Sequence, residues 1–314
     1  MKHVLVIRLS ALGDVAILQP VLKARAAANP DVRFSLAAPE RLASLFADIP
    51  NLEFVPTKKK QSPYQLYRQL KQLKPTMVAD MHHVNRVIGT DWLFRLHGIP
   101  VHTIRKHDKP LRPSWKRYDE VFDRCGLAPA TYPTDYCAPK TSKSPWTIGV
   151  APFAQHPGKI WPVERMEQLV ARLSKEGCFE VCLMGSRDEA PVLDSWAEKY
   201  PRVASLAGKH TFEQELQKMS TFDLMVSMDS SNMHFASCLG VPVVSIWGAT
   251  HPKMGFYGWR QRPDWAVQSD MDCRPCSRYG NKPCKMGDYP CLHSISVEHV
   301  YQKICEVLGV GCER

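Results

Sequence analysis

Three short polar stretches interrupt apolar runs, and each carries a residue suited to acid, base or anion chemistry. The first, "SALGD" at 10–14, follows "VLVIRL" and precedes Val15, Leu18, Val21 and Leu22, which recur at helical spacing. An elbow of this kind lies at the carboxyl end of a parallel strand, where α/β sheets bind ligands. Asp14 there is either a charge that steadies the helix N-terminus or a proton acceptor, with Ser10 and Gly13 beside it on the loop. The second stretch, "APFAQHPGKIWP" at 151–162, presents Gln155 and Lys159 in a loop bounded by Gly and Pro. It fails the NTPase phosphate-loop pattern, because Phe153 stands where the first Gly belongs and Ile160 where Ser or Thr should follow the Lys. Lys159 is therefore a solvated surface cation or a fixed positive charge for a phosphate. The third, "MDSSNMH" at 228–234, puts Asp229, Ser230 and Ser231 at the start of a short helix that carries His234. The N–H groups there are capped by those side chains or form an anion site matched to a diphosphate.

A fourth feature is a run of thiols. Cys273, Cys276, Cys284 and Cys291 are separated by two, seven and six residues. Such a set suits a structural Zn²⁺, although the spacing differs from the paired C-x-x-C of zinc ribbons, and no metal is assigned. Arg274, Arg278, Lys282 and Lys285 among these thiols would also suit nucleic acid.

The elements that must position these groups follow from composition and pattern. The 314 residues are 44% hydrophobic and 23% charged, as in folded globular proteins, and suffice for two domains. A net charge of +10 favours acidic partners. No apolar run approaches the ~18 residues of a membrane span. Arg8 and Asp14 break the N-terminal apolar stretch where a secretory signal needs an unbroken core, which points to a cytoplasmic protein whose eleven cysteines are reduced. From 1 to 126 the strand-like pieces "VLVIRL", "VRFSLAA", "LEFVP", "TMVADM" and "VHTIR" alternate with helical ones such as "SPYQLYRQLKQLK". Residues 127–145, rich in Pro, Thr and Ser, read as a linker. From 146 to 314 the alternation restarts with "WTIGVAPFA", "FEVCLMG", "VASLAG", "FDLMVSM" and "VPVVSIWG". The expectation is an α/β chain of two doubly wound parallel sheets facing a cleft, with a last amphipathic helix near Val297–Leu308 packing back toward the first domain.

Taken in order, "VIRLSALGDVAILQPVL", "GKIWP", "MDSSNMHFASCLGVPVVSIWGATHP" and the late "CLHSISVEHV" resemble the heptosyltransferases, the family 9 glycosyltransferases of bacterial lipopolysaccharide core synthesis. The resemblance runs over nearly the whole chain. It implies the GT-B fold, two Rossmann-like domains about a central cleft. It also implies an inverting, metal-independent transfer of a heptose from ADP-heptose to a lipid-linked acceptor, the nucleotide sugar being a substrate and no cofactor being required. By the same resemblance Asp14 is the general base, Lys159 meets the donor diphosphate, Asp229 meets the donor sugar, and Glu189 in "GSRDE" lies near the nucleoside. The chain departs from the family at Ser230 and Ser231, which replace a usual Thr and Gly, and at Ala154 and Gln155, where Thr or Ser is common.

The acceptor implied is a phosphorylated, Kdo-bearing lipid of the lipid A type at the inner leaflet of the inner membrane. Two basic clusters suit it and an anionic membrane surface: Lys58, Lys59, Lys60, Arg68, Lys71 and Lys74, and then Arg105, Lys109, Arg112, Lys116 and Arg117. A GT-B transferase of another nucleotide sugar remains an alternative, since fold does not fix substrate. A basic, Cys-clustered nucleic-acid-binding protein is the alternative from another class. It leaves the polar ends of the buried strands unexplained.

Overall fold

The computed structural model describes residues 2–105, 112–140 and 144–311. The chain divides into two compact units, 1–133 and 134–314. Unit 1 alternates strands β1 (His3–Ile7), β2 (Arg33–Pro39), β3 (Leu52–Thr57), β4 (Met77–Asp80) and β5 (Val101–Thr103) with helices. Those helices are α1 (Leu12–Ala28), α2 (Pro63–Lys71), α3 (Asn85–Leu96) and α4 (Ser114–Arg124). The strands form one parallel sheet in the order β3-β2-β1-β4-β5. Val4, Leu5, Val6 and Ile7 are fully buried, as a central strand covered by helices on both faces requires.

Unit 2 repeats the plan with β6 (Trp146–Ala151), β7 (Phe179–Leu183), β8 (Val203–Ser205), β9 (Leu224–Met228), β10 (Val243–Trp247) and β11 (Ala266–Gln268). Its helices are α5 (Val163–Lys175), α6 (Ala190–Lys199), α7 (Phe212–Met219), α8 (Ser231–Cys238), α9 (Pro290–His293) and α10 (Val297–Leu308). The order is β11-β10-β9-β6-β7-β8, again all parallel. In both sheets the strand order reverses beside the unit's first strand, between β1 and β4 and between β6 and β9. Ligands of open α/β sheets bind at such switch points.

The structure adds local detail to the pattern. Helix α1 begins at Leu12, so Gly13 is helical and does not use left-handed backbone. Trp161 precedes the next helix. It is fully buried, its indole N–H donates to the Ile295 carbonyl at 3.1 Å, and α5 starts only after Pro162. β11 is too short to leave an alternating pattern. Helix α10 packs on α5 and against β9, β10 and β11 of its own unit.

The linker is stitched down on both sides of the division. Ala128 N–H donates to Asn29 Oδ1 at 2.9 Å, and Arg25 donates to the Ala128 carbonyl at 2.9 Å. On the other side Cys137 N–H donates to the Arg260 carbonyl at 2.9 Å, and Arg260 Nε to the Asp135 carbonyl at 2.6 Å.

Candidate functional site

In unit 1 the chain leaves β1 through Arg8, Leu9 and Ser10, and α1 places Asp14 in its first turn. The Asp14 carboxylate folds back to accept from Ala11 N–H at 3.3 Å. It also meets Arg8 Nη2 at 2.6 Å. Arg8, the single charge in the first apolar run, is 7% exposed, donates to the Met81 carbonyl and stacks 5.6 Å from the Tyr118 ring centroid. The Tyr118 hydroxyl reaches the Asp14 carbonyl at 3.3 Å. Asp14 is thus held in one orientation while its side chain keeps 23% exposure, as a proton acceptor for an outside hydroxyl requires.

Sequence reasoning passed over the other side of this switch point. Ile7 pairs with Asp80 in the sheet, so the turn after β4 lies beside the turn after β1. Asp80 is fully buried and accepts the N–H groups of His82 and His83, each at 2.8 Å. His82 Nε2 is hydrogen-bonded to Ser10 Oγ at 3.1 Å, which ties the two turns together. Asp91 of α3 faces Asp80 from below. Burial, then the neighbouring Asp80 charge, pushes its carboxyl up to about 9. Among the described residues, Asp80, His83 and Asp91 are the trio whose ligand atoms all lie within 4.8 Å of one another, a donor set able to hold a divalent cation. The signal in the sequence was an acid at the end of a buried strand, the same signal that marks Asp229.

In unit 2 the loop after β6 forms a single 3₁₀ turn, Pro157–Lys159, and the turn after β9 carries Asp229. Lys159 Nζ lies 2.7 Å from Asp229 Oδ2, with Asp229 only 4% exposed. Two sequence-predicted residues from separate strands therefore form one buried ion pair. The loop is clamped from both sides: Gly158 N–H donates to the Gly280 carbonyl at 3.1 Å, and Ala249 N–H donates to the Gly158 carbonyl at 2.8 Å. Gly280, at φ +74°, has its Cα face against Lys159, where an added Cβ would stand 2.6 Å from Lys159 Cγ.

Ser230 is the N-cap residue of α8, but its hydroxyl does not cap the helix. It is hydrogen-bonded to Ser227 Oγ at 3.1 Å, so the Ser230 side chain leaves the first N–H groups of α8 uncapped. Those groups and Lys159 together give fixed positive potential next to Asp229. Ser231 is half-buried in the first turn, and His234 is 6% exposed within α8. Gln155 is exposed on the Lys159 loop. Glu189 accepts from Ser186 N–H of its own loop at 2.6 Å.

Cys273, Cys276 and Cys284 are free thiols on the irregular segment between β11 and α9, and Cys291 is a free thiol within α9. Cys273 and Cys276 are exposed, Cys284 is half-buried and Cys291 is buried. Burial, then the neighbouring thiols and their charges, pushes the Cys276 thiol up, and Cys291 is raised chiefly by burial. Arg274 does not reach outward as a nucleic-acid contact would. It donates to the carbonyls of Gly248 at 2.5 Å and Thr250 at 3.0 Å and to that of Ser269, pinning the segment to the loop after β10. The segment opens with the chain's one Asp-x-Asp pair, Asp270 and Asp272, both exposed.

The second basic cluster is partly spent inside unit 1. Arg117 is 5% exposed and bonded to Ser114 Oγ at 2.8 Å, and Arg112 pairs with Glu120. Lys109 lies outside the described residues. Lys58, Lys59, Lys60, Arg68, Lys71 and Lys74 are all exposed.

Two doubly wound parallel sheets in tandem, each with polar residues gathered at its switch point, are the architecture of the GT-B fold. The family model for glycosyltransferase family 9 (heptosyltransferase) matches residues 65–286, and the chain belongs to that family. Lipooligosaccharide heptosyltransferase 2 of Haemophilus influenzae is 29% identical over 112 residues, 34% of this chain. That match spans 32% of the relative, so the chain covers about a third of its length. The solved E. coli ADP-heptose LPS heptosyltransferase II superposes with a TM-score of 0.73 at 19% identity, over 98% of both chains. A family 9 glycosyltransferase from Veillonella parvula superposes with a TM-score of 0.78 at 20% identity, over 98% of this chain and 97% of that one. At these identities the superpositions establish the fold.

Proposed function

We propose that the protein transfers a heptose from ADP-heptose to a lipopolysaccharide inner-core acceptor, with inversion and without a metal ion in the reaction. The buried Lys159–Asp229 pair beside the uncapped start of α8 carries this reading. A departing nucleoside diphosphate gains negative charge as the sugar–oxygen bond breaks. Lys159 and the α8 N–H groups are fixed positive partners for it, the work a metal does in other transferases. Asp229 holds Lys159 in place and has a second carboxylate oxygen for a donor-sugar hydroxyl.

Asp14 is the base for the other half of the reaction. As the acceptor hydroxyl oxygen bonds to the anomeric carbon, its proton passes to Asp14, the bond from that carbon to the diphosphate oxygen breaks, and ADP leaves. Attack from the face opposite the leaving group inverts the anomeric centre. Positioned bases of this kind contribute about 10²- to 10⁴-fold. Among the described residues no helix is long and apolar enough to cross a membrane. With a lipid-linked acceptor of the Kdo–lipid A kind, the protein would work from the cytoplasmic side of the inner membrane.

Calorimetric titration with ADP-heptose, ADP-glucose, UDP-sugars and GDP-sugars tests the donor. The reading expects ADP-heptose to bind best and Lys159→Ala to weaken it at least about tenfold, as loss of a charge-assisted contact should. Preference for a UDP- or GDP-sugar would overturn the donor assignment.

A further inference from the structure

Eight large apolar side chains are exposed among the described residues, and four of them lie on α2 and α3. Ile88, Trp92 and Leu96 recur every fourth residue and make one stripe along the outer side of α3, with exposures of 41%, 59% and 60%. Tyr64 on α2 is 59% exposed. The core does not need these groups. The inner side of α3 is satisfied by Val87, Thr90 and Phe94, with the Phe94 ring 5.0 Å from that of Tyr67.

The two helices share one surface because they touch closely. A Cβ on Gly89 would lie 2.9 Å from Pro63 Cβ, and Thr90 Oγ1 donates to the Pro63 carbonyl at 3.1 Å. This seats the first turn of α2, with Tyr64, beside the turn of α3 that bears Ile88. Around the stripe the exposed charges are of one sign: Lys58, Lys59, Lys60, Arg68, Lys71, Lys74 and Arg95. The two acids in this stretch, Asp80 and Asp91, are fully buried.

We propose that this face seats the protein on an anionic phospholipid bilayer, with α3 lying in the interface and Trp92 and Tyr64 at headgroup depth. Aromatic rings with an apolar body and a polar tip favour that depth. A helix laid flat there needs an apolar stripe flanked by cations. A second copy of the chain fits less well, because two such faces would bring cations against cations with no exposed acid to answer them. The inference extends the proposed function, in that a lipid-linked acceptor requires an enzyme at the membrane surface. It is tested without donor or acceptor.

The experiment is flotation of the full chain with phosphatidylcholine vesicles, with and without phosphatidylglycerol, alongside light scattering. Wild type should partition onto the anionic vesicles at least about tenfold better than onto the neutral ones, and lose that preference in high salt. Trp92→Ser with Leu96→Ser should weaken anionic binding about tenfold or more, since two apolar side chains no longer enter the interface. Thermal stability should be unchanged, because both residues are exposed. Val192→Ser, at an exposed apolar position on α6, should bind as wild type does. Equal binding by the Trp92/Leu96 variant would overturn the proposal. So would a concentration-dependent dimer that this variant abolishes, which would assign the face to a second copy. Vesicle binding with no ADP-heptose turnover would uphold the surface and reject the reaction, and the converse would do the opposite.

Discussion

Replacing Lys159 by Met should reveal a buried carboxylate stripped of its partner. Asp229 is 4% exposed and meets Lys159 Nζ at 2.7 Å. Breaking one side of a buried pair costs roughly 3–5 kcal/mol, and because the Lys159 side chain keeps 16% exposure the lower end, about 3 kcal/mol, applies. Unit 2 runs from Thr134 to Arg314, a size at which each kcal/mol moves Tm by about 2–4 °C. Lys159→Met should therefore lower the melting temperature of that unit by about 6–12 °C. Asp229→Asn should cost less, about 1 kcal/mol, because the freed ammonium can swing into water on its flexible stem. The double variant has no orphaned charge and should regain about 2 kcal/mol over the sum of the singles. Donor binding should stay weak in all three. Calorimetric melting gives the cycle and titration with ADP-heptose gives the affinities. A coupling below about 0.5 kcal/mol would refute the pair as a structural unit. Donor affinity restored in the double variant would refute its role in binding.

Asp14→Asn should keep donor affinity and lower kcat by at least about a hundredfold in steady-state assays. Near-normal turnover would remove Asp14 from the reaction. Asp91 holds its proton up to about 9 in the folded chain and only to about 4 when unfolded, so the native state binds more protons across that window and stability falls as pH rises through it. Asp91→Asn should remove this slope, gaining on wild type between pH 5 and pH 8 in denaturant melts run in chelator; parallel curves would show that the carboxyl is ionised. Gly280→Ala should lose about 1 kcal/mol to left-handed backbone strain and also weaken donor affinity by displacing Lys159, whereas a purely local cost would leave the titration unchanged.

The strands were the most legible part of the sequence. Each buried parallel strand is an apolar run bounded by polar loops, and "VLVIRL", "FDLMVSM" and "VPVVSIWG" announce central positions because both their faces are covered. β11, three residues long beside a 3₁₀ turn, leaves no such trace. Asp14, Lys159 and Asp229 could be picked out because each follows a buried strand. That Lys159 and Asp229 touch depends on β6 and β9 being neighbours, which comes from topology and not from local pattern. The Asp80–Asp91 pair was missed for the same reason: one acid ends β4 and the other sits mid-helix on α3. Arg8 breaks the first apolar run, and its partner six residues on became visible only once the strand ended at Ile7. The basic run around Arg112 and Arg117 shows the opposite failure, since charge counted along the chain cannot distinguish Lys71 on the surface from Arg117 inside.

The most direct test of the central claim is mass spectrometry and NMR of the product formed from ADP-heptose and a Kdo-bearing lipid A acceptor, run in the presence of EDTA. Each ADP released should be matched by one heptose added to the acceptor, with the anomeric configuration inverted and the initial rate unaffected by the chelator. Retention of configuration, a strict Mg²⁺ requirement, or no transfer from ADP-heptose under conditions where the donor binds would contradict the claim.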